Sequence, residues 1–448
     1  MPVCFSFTES VLWCFNLSQV LIMQKILLPL LLLSLPLAVQ STAAPEIQYQ
    51  SLKPLLSQVT EQYPILQHVL TNPEPYRLQI IYTRIDRDTD NNPNLTYYQF
   101  GLDDNRYFYP ASTVKLPIAL LALEWLAEQN IAGLDADTTM LTDAATDWQT
   151  AQKADLTAAN GLPNIAHYIK KVLLVSDNDG SNRLYELLGQ DFINQRLAAK
   201  GLKHSVINHR LSVPLTAEQN RQFNPVRFVD TNGKPILALP ARSTNQQYIN
   251  KDKPTLGRAY ISGNKLINSP MDFTEKNRLS LADFDGVIKR VIFPQLFTEN
   301  ERFKLRPEDR ALVLRYMAML PPDSTNPLYD AKQYPDNYSK FLLFGGKAQQ
   351  IPEHIRIFNK TGWAYGHIID GAYITDLQQG IEFFITAVIY ANENDTLNDD
   401  QYQTDEVALP FLRQLGEYLY QHELKRPKTH KPDLSEVIRV TAPDAGID

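Results

Sequence analysis

Cysteine is almost missing from this chain: 448 residues hold two, Cys4 and Cys14, and both precede Met23. From Met23 onward there is no thiol to form a disulfide, act as a nucleophile or carry lipid. Long runs of one charge are missing too, because the net charge of −7 is spread along the chain. That leaves out the basic stripe by which nucleic-acid binders are read. No G-x-x-x-x-G-K-[ST] loop and no H-E-x-x-H pair occurs, and the eight histidines are scattered along the chain. The pattern therefore calls for no metal, no cofactor and no nucleic-acid partner, and a monomer is expected. What remains is 44% hydrophobic and 21% charged, the profile of a globular protein long enough for two or three domains.

The N-terminal region has its own logic. From Met23 it reads MQKILLPLLLLSLPLAVQSTAAPEI, with one lysine, a 14-residue mostly apolar run from Ile26 to Val39, and small residues after it. These are the parts of a secretory signal peptide. The alternative is a membrane anchor, but the run holds two prolines and falls short of the roughly 18 residues that span a bilayer. The expectation is translation from Met23, cleavage near Ala43 or Ala44, and export of a cysteine-free protein to a bacterial periplasm.

Further along, residues 77–87 and 96–102 are rich in β-branched and aromatic residues around the turn-forming DTDNNPN, which predicts a β-hairpin. Helices are predicted over 112–129, 164–175, 180–188 and 191–200, the last closed by Gly201. From 214 to about 270 periodicity fades into Pro, Asn, Gln and Thr, so an irregular insertion is expected there. Helical signal returns at 280–292 and 308–320, strands follow at 355–359, 367–375 and 381–389, and an amphipathic helix closes at 406–424. Two early strands make no stable sheet alone. The expected architecture is an α/β domain built from both chain ends, 45–111 and 340–425, with a helical domain at 112–339 inserted between them. Residues 1–44 are the upstream segment and signal peptide, and 426–448 a mobile tail.

Three short motifs carry chemistry. In YPASTVKLPIALLALEWLAEQN, Ser112 and Lys115 stand at i and i+3, on one face of a helix. The apolar residues that follow bury that helix on all sides. Burial lowers the proton affinity of an amine, and a less protonated amine beside a hydroxyl activates serine without histidine. The spacing alone is weak, since it recurs at Ser262 and Lys265. Two further pieces join it: Ser176-Asp177-Asn178 at the end of a predicted helix, and Lys360-Thr361-Gly362 directly after the predicted strand 355–359 and before the one from His367.

S-x-x-K, S-D-N and K-T-G in this order are the signature of class A β-lactamases and penicillin-binding proteins, and the chain resembles that family. The resemblance implies a mainly antiparallel sheet with flanking helices beside a helical domain, with the site between them. It implies an exported serine hydrolase that opens β-lactam amides through an acyl-enzyme on Ser112, with Lys115 as proton acceptor. Ser176 would pass a proton to the leaving nitrogen, and Asn178, Lys360, Thr361 and Gly362 would bind substrate. The backbone N–H groups of Ser112 and Trp363 would form an oxyanion hole. A D-alanyl-D-alanine peptidase and a slow-turnover penicillin- or peptidoglycan-binding sensor share all three motifs. The Glu-x-x-Leu-Asn loop that activates the deacylating water is missing from NHRLSVPLTAEQNRQFNP, where Glu218 is the nearest carboxylate.

Overall fold

A computed structural model gives the fold and describes residues 47–442, all within one compact unit that begins at Glu46. The signal segment, its cleavage point, both cysteines and the last six residues lie outside the described residues. Strands β1 (Tyr49–Ser51), β2 (Gln79–Arg87) and β3 (Pro93–Phe100) come first. A 3₁₀ turn, Ala111–Val114, leads into α1 (Lys115–Gln129). Helices α2 (Ile165–Leu174) and α3 (Asn178–Ala199) follow, then α4 (Leu281–Ile292) and α5 (Pro307–Ala318). The chain returns to strands β4 (Ile355–Ala364), β5 (His367–Asp376) and β6 (Ile381–Tyr390), then α6 (Leu409–Lys425) and α7 (Ser435–Thr441).

The six strands form one sheet in the order β1-β3-β2-β6-β5-β4. Only β1 runs parallel to its neighbour, and the other pairs are antiparallel. Both chain ends thus build a single sheet. Every residue of β5 and β6 is buried, as expected for central strands covered on both faces. One face packs on a core containing Phe284 and Ile288 of α4, and the other on Phe411, Leu412 and Leu415 of α6. Gln414 of α6 also accepts from the free backbone N–H groups of Ile65 and Leu66, each at 2.9 Å. That caps the start of a short helix, Pro64–Thr71, whose first-turn donors would otherwise be orphaned.

α1 is buried along every residue from Lys115 to Leu126. Its Glu124 is enclosed with Lys200 Nζ at 2.7 Å and the backbone N–H of Lys304 at 2.8 Å. The two helices predicted over 180–188 and 191–200 are both present within α3, separated by a break at Gly189, whose φ of 77° and ψ of 158° are not helical.

Two expectations are corrected. The stretch 214–270 is not irregular throughout: Val226–Val229 pairs with Pro235–Leu239 and with Thr139–Thr142, and Ala259–Ser262 pairs with Lys265–Ile267. These strands are too short to show an alternating pattern in sequence. The second S-x-x-K copy is the turn of that last hairpin, with Ser262 opposite Lys265 and both exposed. The tail expected to be mobile carries a helix, α7, that packs on the core. Arg310 of α5 meets Glu436 of α7 at 2.6 Å, and Leu434, Val437 and Val440 are buried in the core.

Val437→Ala should therefore cost about 1.5 kcal/mol, the value of roughly two buried methylene groups. Urea unfolding checks this, and an unchanged midpoint would restore the mobile tail.

Candidate active site

The 3₁₀ turn that carries Ser112 is fixed from below. Thr113 donates to Pro110 O through its N–H at 3.1 Å and its hydroxyl at 2.6 Å. Ala111 takes a left-handed φ of 48°. β4 crosses so near this turn that a Cβ on Gly362 would stand 2.7 Å from Pro110 O and 3.0 Å from Thr113 Cγ2. Only glycine permits that approach, which gives the third residue of Lys-Thr-Gly a steric reason.

The turn between α2 and α3 delivers the second motif. Asp177 caps α3, its carboxylate accepting from Gly180 N at 2.7 Å, so it braces the loop. Ser176 sits before it with a left-handed φ of 59°, a strained conformation of the kind found at functional sites. Ser176 stands between two lysines. Lys115 Nζ donates to its carbonyl oxygen and, at 3.2 Å, to its Oγ, while Lys360 Nζ reaches the same Oγ at 2.9 Å. Lys115 also donates to Asn178 Oδ1 at 2.7 Å, and Lys360 to Thr361 O at 2.9 Å.

Both ammonium groups are buried, Lys115 at 1% and Lys360 at 2% exposure. Burial pulls Lys115 down to about 7, against a smaller opposing pull from Asp177. Burial also holds Lys360 well below the usual lysine range, and the charge of Lys115 adds to this. Two buried cations sharing one hydroxyl favour a state in which one of them is neutral. Lys115 stands three residues after Ser112, and in its neutral form it is a proton acceptor.

A cleft of about 610 Å³ opens above this network. Ser112, Asn178 and Trp363 line it, with Tyr109, Leu211, Ser212, Tyr365 and a wall from Asn398 to Glu406. Lys115, Lys360, Thr361 and Gly362 are buried, and none of them lines the cleft. The structure thus brings Ser112, Lys115, Ser176, Asn178, Lys360, Thr361, Gly362 and Trp363 to one place. It does not bring Glu218. That residue is exposed in a short helix, Ala217–Asn220, and lines a separate cleft with Gln149, Arg221 and Arg242.

Sequence reasoning missed Ser212. Its Oγ accepts from Asn178 Nδ2 at 3.0 Å, so a hydroxyl lies beside Asn178 at the cleft. Nothing in the polar stretch around it signals that contact. The wall at 398–406 was missed as well. The insertion braces it, since Ala259 and Tyr260 pair with Thr396 and Leu397 in a parallel bridge. Phe273, fully buried, packs edge-on against Tyr365 at 5.2 Å, and Tyr365 against Tyr109 at 5.1 Å.

With this geometry in view, residues 72–248 match the model of the beta-lactamase enzyme family. The chain resembles that family. The matched stretch contains Ser112, Lys115, Ser176 and Asn178 and ends before Lys360. Among solved structures, PBP-A is 17% identical with a TM-score of 0.44, covering 83% of this chain and 98% of its own. A beta-lactamase from Sphaerobacter thermophilus is 15% identical with a TM-score of 0.44, covering 82% and 100%. One from Xanthomonas campestris pv. campestris is 14% identical with a TM-score of 0.43, covering 79% and 97%. No curated protein matches the sequence.

The buried Lys115 makes a pH prediction. Its proton affinity falls on folding from 10.5 to about 7, so between those values the unfolded chain binds more protons and stability rises with pH. Below about 7 the cost of the buried charge is fully present. Lys115→Met should therefore gain stability relative to wild type most strongly at pH 6, with the difference shrinking towards pH 10. Urea unfolding of both proteins across that range checks it, and a constant difference would mean that Lys115 titrates normally.

Proposed function

We propose that this chain is an exported serine hydrolase of the class A β-lactamase type, forming an acyl-enzyme on Ser112 with β-lactam amides. The observation that carries the reading is the Ser176 hydroxyl held between Lys115 and Lys360 beneath the cleft that Ser112 lines. Neutral Lys115 takes the Ser112 proton as Oγ attacks the amide carbon. The oxyanion is received by the backbone N–H groups of Ser112 and Trp363. As the C–N bond breaks, Ser176 gives its proton to the nitrogen and is resupplied by a neighbouring lysine. Asn178 orients the substrate amide, and Lys360 with Thr361 attracts its carboxylate. Export to the periplasm rests on the signal-type segment after Met23.

Hydrolysis of the acyl-enzyme is the slow half of this reading. A deacylating water needs a base, and the side chain that contacts Asn178 from the 209–220 stretch is the hydroxyl of Ser212. This favours, as a second reading, slow turnover of the kind a D-alanyl-D-alanine peptidase or a penicillin-binding sensor shows towards β-lactams.

Intact mass after mixing with benzylpenicillin tests acylation. Wild type should gain one penicilloyl mass, and Ser112→Ala should gain none. An adduct on Ser112→Ala at the wild-type rate would place the nucleophile elsewhere.

Ser212→Glu sets a carboxylate beside Asn178 and should speed loss of that adduct by about a hundredfold, the lower end of general-base effects. Glu218→Gln should leave the rate unchanged. A collapse of turnover in Glu218→Gln would instead make Glu218 the base.

A further inference from the structure

β4 is the outermost strand of the sheet, so carbonyls along its open side have no strand to bond. Two β4 carbonyls are taken by lysines. Lys360 Nζ donates to Thr361 O at 2.9 Å, and Lys340 Nζ donates to Ile357 O at 2.9 Å. Lys340 also donates to Met317 O of α5 at 2.6 Å and to Asn359 Oδ1 at 2.8 Å. Three acceptors match the three donors of an ammonium group.

Asn359, next to Lys360 in the chain, carries the contact onward. Its amide donates to Ser339 O and to Asp370 Oδ1, both at 2.8 Å. Asp370 Oδ2 accepts from the N–H groups of Phe341 and Leu342 at 3.0 and 2.9 Å. Lys340, Asn359 and Asp370 are all buried. None of the three motifs includes Lys340.

We propose that Lys340 is a positioning residue for Lys360: it locks the edge of β4 and sets the charge that Lys360 offers to an anionic group of the substrate. The charged groups whose fields reach Lys360 are Lys115 of α1, which shares Ser176 Oγ with it, Lys340 from the segment before β4, which bonds the adjacent Asn359, and Asp370 of β5. Burial lowers the proton affinity of Lys360, both lysines lower it further, and Asp370 opposes them. Asp370, with Asp177 beside Lys115, is thus set against three buried lysines, and a substrate carboxylate would add a further counter-charge. This consequence rests on the acylating-hydrolase reading, while the charge coupling itself does not.

The test is lysine side-chain NMR on the full protein without ligand, with the Lys360 signal assigned through Lys360→Arg. In Lys340→Met the titration midpoint of Lys360 should rise by about half a pH unit or more, because a repelling charge has gone. Lys340→Gln removes the same charge but keeps a donor for Ile357, and it should show the same rise even if the Met variant folds poorly. The pH limb of the half-saturating benzylpenicillin concentration should move with the midpoint, whereas mere loosening of the strand would weaken binding at every pH without moving the limb. An unmoved Lys360 midpoint in the folded variants overturns the proposal. Failure of wild type to form any adduct would instead count against the hydrolase reading, and the NMR result would still decide the role of Lys340.

Discussion

The structure turns on one hydroxyl shared by two buried cations. Ser176 Oγ joins Lys115, at the start of α1, to Lys360, in β4. It thereby ties the helical part of the molecule to the edge of the sheet. Burying an ammonium group is costly unless its donors are satisfied, and here the acceptors are Ser176 and Asn178 for Lys115, and Ser176 with the adjacent Thr361 for Lys360. Each neighbouring feature serves that arrangement. α1 must be apolar on every side to keep water from Lys115, Gly362 must lack a side chain for β4 to approach, and Asp177 must cap α3 to hold Ser176 in its strained conformation.

Much of this was legible in the sequence, for stated reasons. Long elements with strong periodicity, such as α1 and β4 to β6, announce themselves, because burial on all sides or on both faces leaves an unmistakable apolar run. The three motifs were readable because each is contiguous, and the fold brings them together as the resemblance implies. Contacts set by tertiary approach were not readable. Ser212 is one serine in a polar stretch, and only the path of the chain puts its oxygen 3.0 Å from Asn178. α7 is not legible in the sequence because its seven residues carry two core side chains, Val437 and Val440, too few to form a pattern.

Glu218 shows how nearness in sequence misleads. It lies six residues after Ser212, yet its helix faces another cleft. The short helix is fixed by a capping box between Thr216 and Gln219, and buried Asn220 anchors it by accepting from Arg210 N at 2.9 Å. With Asn220 held inward at the end of a single turn, Glu218 is directed out. The local hydrogen bonds decide where the carboxylate points, and they direct it into a cleft other than the one Ser112 lines.

The insertion takes its meaning from the same logic. A cleft needs two sides, and the three motifs build only the one that carries Ser112. The other side, from Asn398 to Glu406, follows β6, and three of its neighbouring residues, Asp395, Asn398 and Asp400, take left-handed φ values. Such a segment would not hold its shape unaided. The insertion supplies the support: Arg258 donates to Asp395 O at 2.8 Å and to Asn394 O at 2.9 Å, and Ala259–Ser262 lies alongside Thr396–Leu397. Gly257 packs under the same turn, where a Cβ would stand 3.0 Å from Asp395 O. Residues 257–262, featureless in sequence, are therefore a brace for the wall that stands opposite Ser112.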